Sequence, residues 1–289
     1  MNRYYTQPIS QIEPQDFQYI LSKALEEDCP DSDVTTESIF SSSDRGEAIL
    51  KSREEGIVCG LPLLNLLRDM FTDQFNFTLS AKEGEKVHKG TEIARLNGQL
   101  IRLLKLERII LNFLQYLSGI ATTANSLSMK YPDLLILDTR KTLPGYRKLV
   151  KYAVYTGGGA NHRINLSDMA LIKDNHIALC GSITNAVSQI RSKYPDRKIE
   201  LEIDSPEQLD EALESRPDII MLDNFSDEDT IFSVNKIRSK SPGMGIECSG
   251  GITPEKLSFL SKIGGIGVSM GYLTHTTKFL DLGLDVEKI

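Results

Sequence analysis

Leu134-Leu-Ile-Leu-Asp-Thr-Arg-Lys141 starts as a run of four aliphatic residues and passes without a break into Asp, Thr, Arg and Lys. Short apolar runs recur at 169–172, 199–203, 219–222, 245–248 and 266–268, with stretches of helical spacing between them. This β-then-α alternation predicts an α/β architecture built on a parallel sheet, open or closed into a barrel. The residues just after each run carry more information. Ile172 leads into Lys173-Asp-Asn-His176, Leu222 into Asp223-Asn224, Cys248 into Ser249-Gly-Gly251 and Val268 into Ser269-Met-Gly271. Loops are polar in any protein, so one such end means little. Five ends bearing Arg, Lys, His, Asp and paired glycines point to a site where the βα loops converge, at the C-terminal ends of the strands.

Working back from that region, residues 1–100 have a different rhythm. A short helix is predicted at 17–25 and strands at 46–52, 56–59 and 75–79. The stretch 84–98, punctuated by Gly84, Gly90 and Gly98, reads as a tight turn between strands. From 101 to 117 Leu, Ile and Phe cover a wide arc at helical spacing, which predicts a helix buried on more than one side that joins the two halves. Arg108 inside this apolar stretch calls for an anionic partner or a route to water.

The chain of 289 residues carries 33 Lys and Arg against 40 Asp and Glu, a net charge of −7, with 40% hydrophobic and 25% charged residues. That is an ordinary globular composition. Without a basic surplus or tail, no nucleic-acid partner is expected. The N-terminal stretch 1–10 lacks the apolar core of a signal peptide, and no segment has the length of a membrane span, so we expect a cytoplasmic protein with no membrane partner. Cys29, Cys59, Cys180 and Cys248 are scattered without a CxxC pair and are expected to be free thiols. The four histidines show no metal-ligand spacing, so no transition-metal site is expected.

Three groups are candidates for chemistry. In Ile199-Glu-Leu-Glu-Ile-Asp204 the acids alternate with aliphatics and share one face. Parallel strands are normally covered on both sides, so such acids belong in a polar barrel mouth, as ligands of a hard cation such as Mg²⁺ or as members of an ion-pair network. Both readings stand open. Ser249-Gly-Gly251 and Gly271 fit a phosphate cradle built from bare backbone N–H groups, although a turn needing positive φ explains any Gly-Gly pair. Arg140, Lys141, Arg163 and Lys173, with His162, form a cationic set in a net acidic chain. They suit a ligand with several anionic groups, or else they pair with Asp138, Asp168, Asp174 or Glu202 to hold loops together.

On Asp138-Thr-Arg-Lys-Thr-Leu-Pro-Gly145, Gly157-Gly-Gly-Ala-Asn-His-Arg163, the segment from Leu166 to His176, Met221-Leu-Asp-Asn224 and Ser249-Gly-Gly251, the sequence resembles the quinolinate phosphoribosyltransferase family. The likeness extends to Glu27-Asp28, Asp33-Val-Thr-Thr36, Glu107-Arg108, Leu117-Ser-Gly-Ile-Ala121 and Leu273-Thr-His275. It implies an N-terminal α/β sandwich domain, residues 1–115 completed by 273–289, followed by an open α/β barrel, residues 116–272. It also implies transfer of phosphoribosyl from phosphoribosyl pyrophosphate (PRPP) to quinolinate with decarboxylation, in NAD biosynthesis.

Carried onto this sequence, the resemblance implies that Thr139, Arg140, His162, Arg163 and Lys173 bind quinolinate, with Arg108 entering from the neighbouring subunit of a homodimer whose sites are shared, itself able to assemble further. Lys141, Glu202 and Asp223 become the catalytic residues, Glu202 and Asp223 the ligands of Mg²⁺, and Ser249, Gly250, Gly251 and Gly271 the phosphate site. Met270, Tyr272 and Leu143 depart from the family's common pattern. Two rivals are a molybdenum-transport-associated relative, against which Asn161-His-Arg163 and Lys173-Asp-Asn-His176 argue, and a barrel aldolase forming a Schiff base at Lys141 or Lys173. The absence of Met-Lys-Met argues against a lipoyl-type carrier at 84–98.

Overall fold

The computed structural model describes residues 6–289; residues 1–5, where the stretch read for a leader begins, lie outside it. Its helices are α1 Pro14–Asp28, α2 Thr36–Ile39, α3 Pro62–Met70, α4 Leu100–Lys130, α5 Arg147–Thr156, α6 Asp174–Cys180, α7 Ile183–Lys193, α8 Leu209–Ser215, α9 Asp227–Lys240, α10 Pro254–Ile263 and α11 Tyr272–His275. Its strands are β1 Arg45–Ser52, β2 Gly56–Ile57, β3 Phe75–Leu79, β4 Lys86–Val87, β5 Glu92–Gln99, β6 Leu134–Leu137, β7 Ala170–Ile172, β8 Ile199–Ile203, β9 Ile219–Asp223, β10 Gly245–Ser249, β11 Ile266–Ser269 and β12 Leu282–Lys288. The chain divides into two compact units, one of residues 9–126, 142–158 and 276–289, the other of residues 6–8, 127–141 and 159–275.

In the first unit an antiparallel sheet runs in the order β12-β1-β5-β3. Gly46, Ala48, Leu50 and Ser52 alternate inward along β1, the period that gives a half-buried strand one apolar face. The helical layer lies against that face: a Cβ on Gly46 would come within 2.7 Å of Leu100 Cδ1, at the start of α4. The stretch 84–98 does turn between strands, with positive φ at Gly84 and Gly90, but its two strands are not partners. β4 pairs with β2, whereas β5 pairs with β1 and β3. α4 runs 31 residues, well past the predicted end at 117. Ser118 and Thr122 accept the backbone N–H groups of Cys59 and Ile57, so tertiary hydrogen bonds carry the helix through a stretch poor in large apolar residues. Arg108 is exposed on α4, so within this chain its charge is solvated and the burial cost read from the sequence does not arise.

In the second unit the six strands form one parallel sheet in the order β6-β11-β10-β9-β8-β7. Beyond β6 the ladder gains a further rung, because Ala160 donates to the Ile136 carbonyl and Asp138 to the Ala160 carbonyl. Leu137, Ala160, Met169 and Ile219 pack as one buried cluster, so residues near both ends of the sheet order meet in the interior of an open barrel. β8, β9 and β10 are buried along nearly their whole length, as expected for strands covered on both faces.

Gly119 tests the packing of the C-terminal segment on α4. A Cβ there would lie 2.1 Å from the Lys278 carbonyl oxygen, and backbone must move to accommodate it. We expect Gly119→Ala to cost about 1–3 kcal/mol in urea unfolding through overpacking. Gly243→Ala, where a Cβ meets nothing within 4 Å, should stay within about 0.5 kcal/mol.

Candidate active site

Asp138, directly after β6, is fully buried and works as a clamp. Its carboxylate accepts the Asn161 side-chain amide at 2.7 Å and the His162 backbone N–H at 2.9 Å. The irregular segment 160–163 is thereby held along β6. Arg163, also buried, donates through Nη1 to the Met169 carbonyl just before β7. Burial, and then repulsion from the neighbouring Arg140 guanidinium, hold Arg163 below the ordinary arginine range, while Glu200, Asp168 and Glu202 oppose the shift.

Lys141 is exposed, but its backbone is fastened on both sides. Thr139 Oγ1 accepts its N–H at 3.0 Å, and Thr274 donates to its carbonyl at 2.7 Å. At the end of β7, Lys173 Nζ pairs with Glu202 Oε2 at 2.5 Å, and His176 Nδ1 accepts the Lys173 N–H at 3.0 Å. The acids of β8 are graded by depth: Glu200 is fully buried, Glu202 is partly exposed and Asp204 is exposed. Burial pushes the Glu200 carboxyl up to about 8, opposed by the nearby Glu247 carboxyl and the charge of Arg163.

At the end of β9, Asp223 accepts the Asn224 amide at 2.8 Å. Asn224 in turn donates its N–H to the Ser249 carbonyl at 3.1 Å, tying β9 to the turn after β10. That turn has φ of +81° at Gly250 and +56° at Gly251. A Cβ on Gly250 would meet Asn224 Oδ1 at 2.3 Å, so the glycine answers both to backbone conformation and to a close approach. Ser269 donates to Ser249 at 3.1 Å across the neighbouring strand ends. Near Gly271, a Cβ would lie 2.5 Å from His275 Nε2 and 3.5 Å from Lys141 Cδ, which places His275 beside two candidate site residues. In the sequence His275 is named only as part of the likeness at Leu273-Thr-His275 and has no role, because its position does not directly succeed an apolar run. A cavity of about 800 Å³ lies at the opposite ends of β8, β9 and β10, lined by residues such as Lys198, Asp218 and Met244, away from these groups.

Thr139, Arg140, Lys141, His162, Arg163, Lys173, Glu202, Asp223, Ser249, Gly250, Gly251 and Gly271 therefore all fall in the barrel unit, His162 and Arg163 just beyond the Ala160 bridge and the others at or just beyond strand ends. Arg108 belongs to the other unit. His162 differs from its companions, since it is buried with both ring nitrogens facing protein groups: Nδ1 accepts the Arg163 N–H at 2.8 Å and Nε2 lies 2.8 Å from Glu200. Glu200 and Glu247 complete a buried cluster that sequence spacing gives no means of assembling. Carboxylate oxygens have several acceptor positions each, so Glu202 beside Lys173 and Asp223 beside Asn224 keep capacity for a further cation. Such donors fit a magnesium ion that takes one or two carboxylates and completes its shell with water and substrate phosphate.

An open parallel barrel whose strand ends gather cations, carboxylates and a glycine turn defines an enzyme acting on anionic small molecules. Comparison with known proteins narrows this. The quinolinate phosphoribosyl transferase C-terminal domain profile matches residues 120–285 and the N-terminal domain profile residues 33–118. A probable nicotinate-nucleotide pyrophosphorylase (carboxylating) of Bacillus subtilis is 40% identical over 270 residues, covering 92% of each chain. The nicotinate-nucleotide pyrophosphorylase (carboxylating) of Mycobacterium leprae is 36% identical over 92% of this chain and 95% of its own. The solved nicotinate-nucleotide pyrophosphorylase from Francisella tularensis superposes with a TM-score of 0.92 at 35% identity, covering 98% of this chain and 100% of that one. The chain belongs to the quinolinate phosphoribosyltransferase family.

Clamp and rim should separate in stability measurements. Asp138→Ala leaves two buried donors unmet and should cost about 2–5 kcal/mol. Lys173→Ala breaks a pair whose lysine side chain is 44% exposed and should cost less than about 1 kcal/mol. Urea unfolding of both variants measures the difference, and equal costs would make the Lys173 pair a structural one.

Proposed function

We propose that this chain transfers the phosphoribosyl group of PRPP to the ring nitrogen of quinolinate and releases the 2-carboxylate as CO2, giving nicotinate mononucleotide and pyrophosphate in NAD biosynthesis. The observation that carries the reading is the buried Arg163, anchored on the Met169 carbonyl beside the strand ends that bear Arg140 and Lys173, in a chain of this family. Quinolinate is a dianion, and a group of cations suits its two carboxylates. Arg140, Arg163 and Lys173 take the two carboxylates, with Thr139 and His162 beside them. Arg108 serves the partner's site in a homodimer, a role supported by its exposure on α4. The glycine turn Ser249–Gly251, with Gly271, offers backbone N–H groups to the 5′-phosphate.

As pyrophosphate leaves C1′, positive charge grows on the ribosyl centre, and a carboxylate at the rim, Glu202 or Asp223, stabilises it. Lys141 neutralises the departing phosphates. Mg²⁺ held by Glu202 and Asp223 would supply further charge stabilisation of the leaving group. After transfer, the positive charge on the ring nitrogen stabilises the carbanion left at C2 by C–CO2 cleavage, a proton from water then forms the C2–H bond, and no separate electron sink is required. A cytoplasmic setting accords with four cysteines that are free among the described residues, and no helix there is long and apolar enough to cross a membrane. A Schiff-base aldolase would need a neutral lysine in a dry pocket, whereas Lys173 is ion-paired to Glu202 and Lys141 is exposed.

PRPP-dependent release of CO2 from carboxyl-labelled quinolinate tests the reaction directly. Nicotinate, with one carboxylate, should be poorer by about 2–5 kcal/mol, roughly thirty-fold to several-thousand-fold, because a cation is left unmatched. Comparable turnover of nicotinate would overturn the assignment. Excess EDTA should abolish turnover and added Mg²⁺ restore it, and full activity without metal would remove the magnesium role.

The shared-site reading is tested by mixing inactive Arg108→Ala and Lys141→Ala proteins under subunit exchange. A mixed dimer then has one intact site, and about a quarter of all sites should regain activity with random equal mixing. No recovery from folded, exchanging parents would confine Arg108 to its own chain.

A further inference from the structure

One cluster in the barrel unit joins a residue of the proposed quinolinate site to two acids that the reaction just described does not use. His162, Glu200 and Glu247 come from the segment after α5, from β8 and from β10, and are 6%, 0% and 0% exposed. His162 Nε2 lies 2.8 Å from Glu200 Oε2 and 3.6 Å from Glu247 Oε2, and one ligand-type atom from each residue falls within 4.8 Å of the others. The contacts are close without being aligned as ideal hydrogen bonds. A nitrogen and two carboxylates at such distances suit either a metal ion or a hydrogen-bonded support.

The other ring nitrogen separates the two. Nδ1 accepts the Arg163 backbone N–H at 2.8 Å, so Nδ1 presents its lone pair and a neutral ring carries its proton on Nε2. A protonated Nε2 cannot ligate a metal. It points instead at two carboxyl groups sealed in the barrel interior, where apolar residues of similar volume would be the cheaper filling. The same backbone that Nδ1 holds carries the Arg163 side chain, whose Nη1 is anchored on Met169. A line of contacts thus runs from β10 and β8 through the imidazole to a guanidinium at the strand ends.

We propose that Glu200 and Glu247 are positioning residues, acting through His162 to hold Arg163 in place for a substrate carboxylate. The Glu200 carboxyl receives the imidazole at Nε2, Glu247 braces Glu200 from the next strand but one, and Nδ1 fixes the Arg163 backbone. His162 is then a strut behind the quinolinate site. The proposal rests on the reading of Arg163 as a quinolinate ligand.

Two measurements test it. Long-range ¹H–¹⁵N correlation spectra of the labelled full-length protein, with the His162 signals assigned by their loss in His162→Asn, should show the Nε2–H tautomer at neutral pH. An Nδ1–H ring, a doubly protonated ring, or stoichiometric metal in the purified protein that is lost in Glu247→Gln would overturn the proposal. In steady-state kinetics, Glu200→Met removes the partner of Nε2 and should raise the KM for quinolinate about tenfold or more while leaving that for PRPP unchanged, the scale set by one unmet buried donor. Glu200→Gln keeps an acceptor oxygen and should recover most of that loss.

An unchanged quinolinate KM in folded Glu200→Met, or equal rises for both substrates, would make the cluster merely structural. Should Glu200→Met fail to fold, Glu247→Met takes its place in the kinetics, and the wild-type tautomer decides independently. If the wild-type protein itself does not turn over quinolinate, the functional reading fails while the tautomer result still stands.

Discussion

A carboxylate with no access to water must find donors inside the protein, and Asp138 finds them in a segment that has no regular structure of its own. β6 ends at Leu137, but the backbone rung through Ala160 and the two side-chain contacts of Asp138 carry its ladder onward. The segment 160–163 is in effect a barrel edge held by one side chain. Arg163 reaches Met169 from there, and Arg140 and Lys141 leave β6 beside it. Without the clamp, the cations at the strand ends would belong to a loose loop and their spacing would be undefined.

Charge is sorted by depth in the barrel. Glu200 and Glu247 lie at the bottom, where burial favours the neutral carboxyl of Glu200, and Glu202 and Asp223 stand nearer the rim. Alternation along β8 imposes this order, because residues 200, 202 and 204 share one face and each step moves closer to solvent. Acids at the bottom hold the scaffold, and acids at the rim remain able to meet a cation or a developing positive charge. Of the two readings that the sequence of this strand leaves open, the ion pair is seen at Glu202 with Lys173.

The parallel strands are legible in the sequence to within one or two residues because strands covered on both faces are written as continuous apolar runs. The helix past 117 is not, since Ser118, Thr122 and Thr123 lack its periodic signal and Ser118 and Thr122 meet partners distant in sequence. The turn at 84–98 is visible, but which strands it joins is a matter of global pairing. Glu247 is hidden inside Gly-Ile-Glu-Cys, where a lone acid in an apolar run gives no hint of partners on other strands. Asp138 reads as part of the strand-end chemistry, and only its burial shows it to be a clamp. Arg108 leaves two readings open in the sequence, an anionic partner or a route to water, and its exposure on α4 gives it the route to water within this chain.

Lys173 and Glu202 show why pairing within a site and binding by that site are compatible. The pair closes at 2.5 Å with the lysine side chain 44% exposed, so its rupture costs little when an anion arrives to replace the carboxylate. Until then Glu202 keeps the ammonium at the strand end instead of letting it sample solvent, and the His176 contact to the Lys173 N–H fixes the backbone beneath it. Arg163, being buried, is anchored more firmly and has less freedom to exchange partners. On the proposed reading, a substrate carboxylate would meet one cation set by the barrel interior and another released at small cost from the rim, and the release would leave Glu202 free to face positive charge.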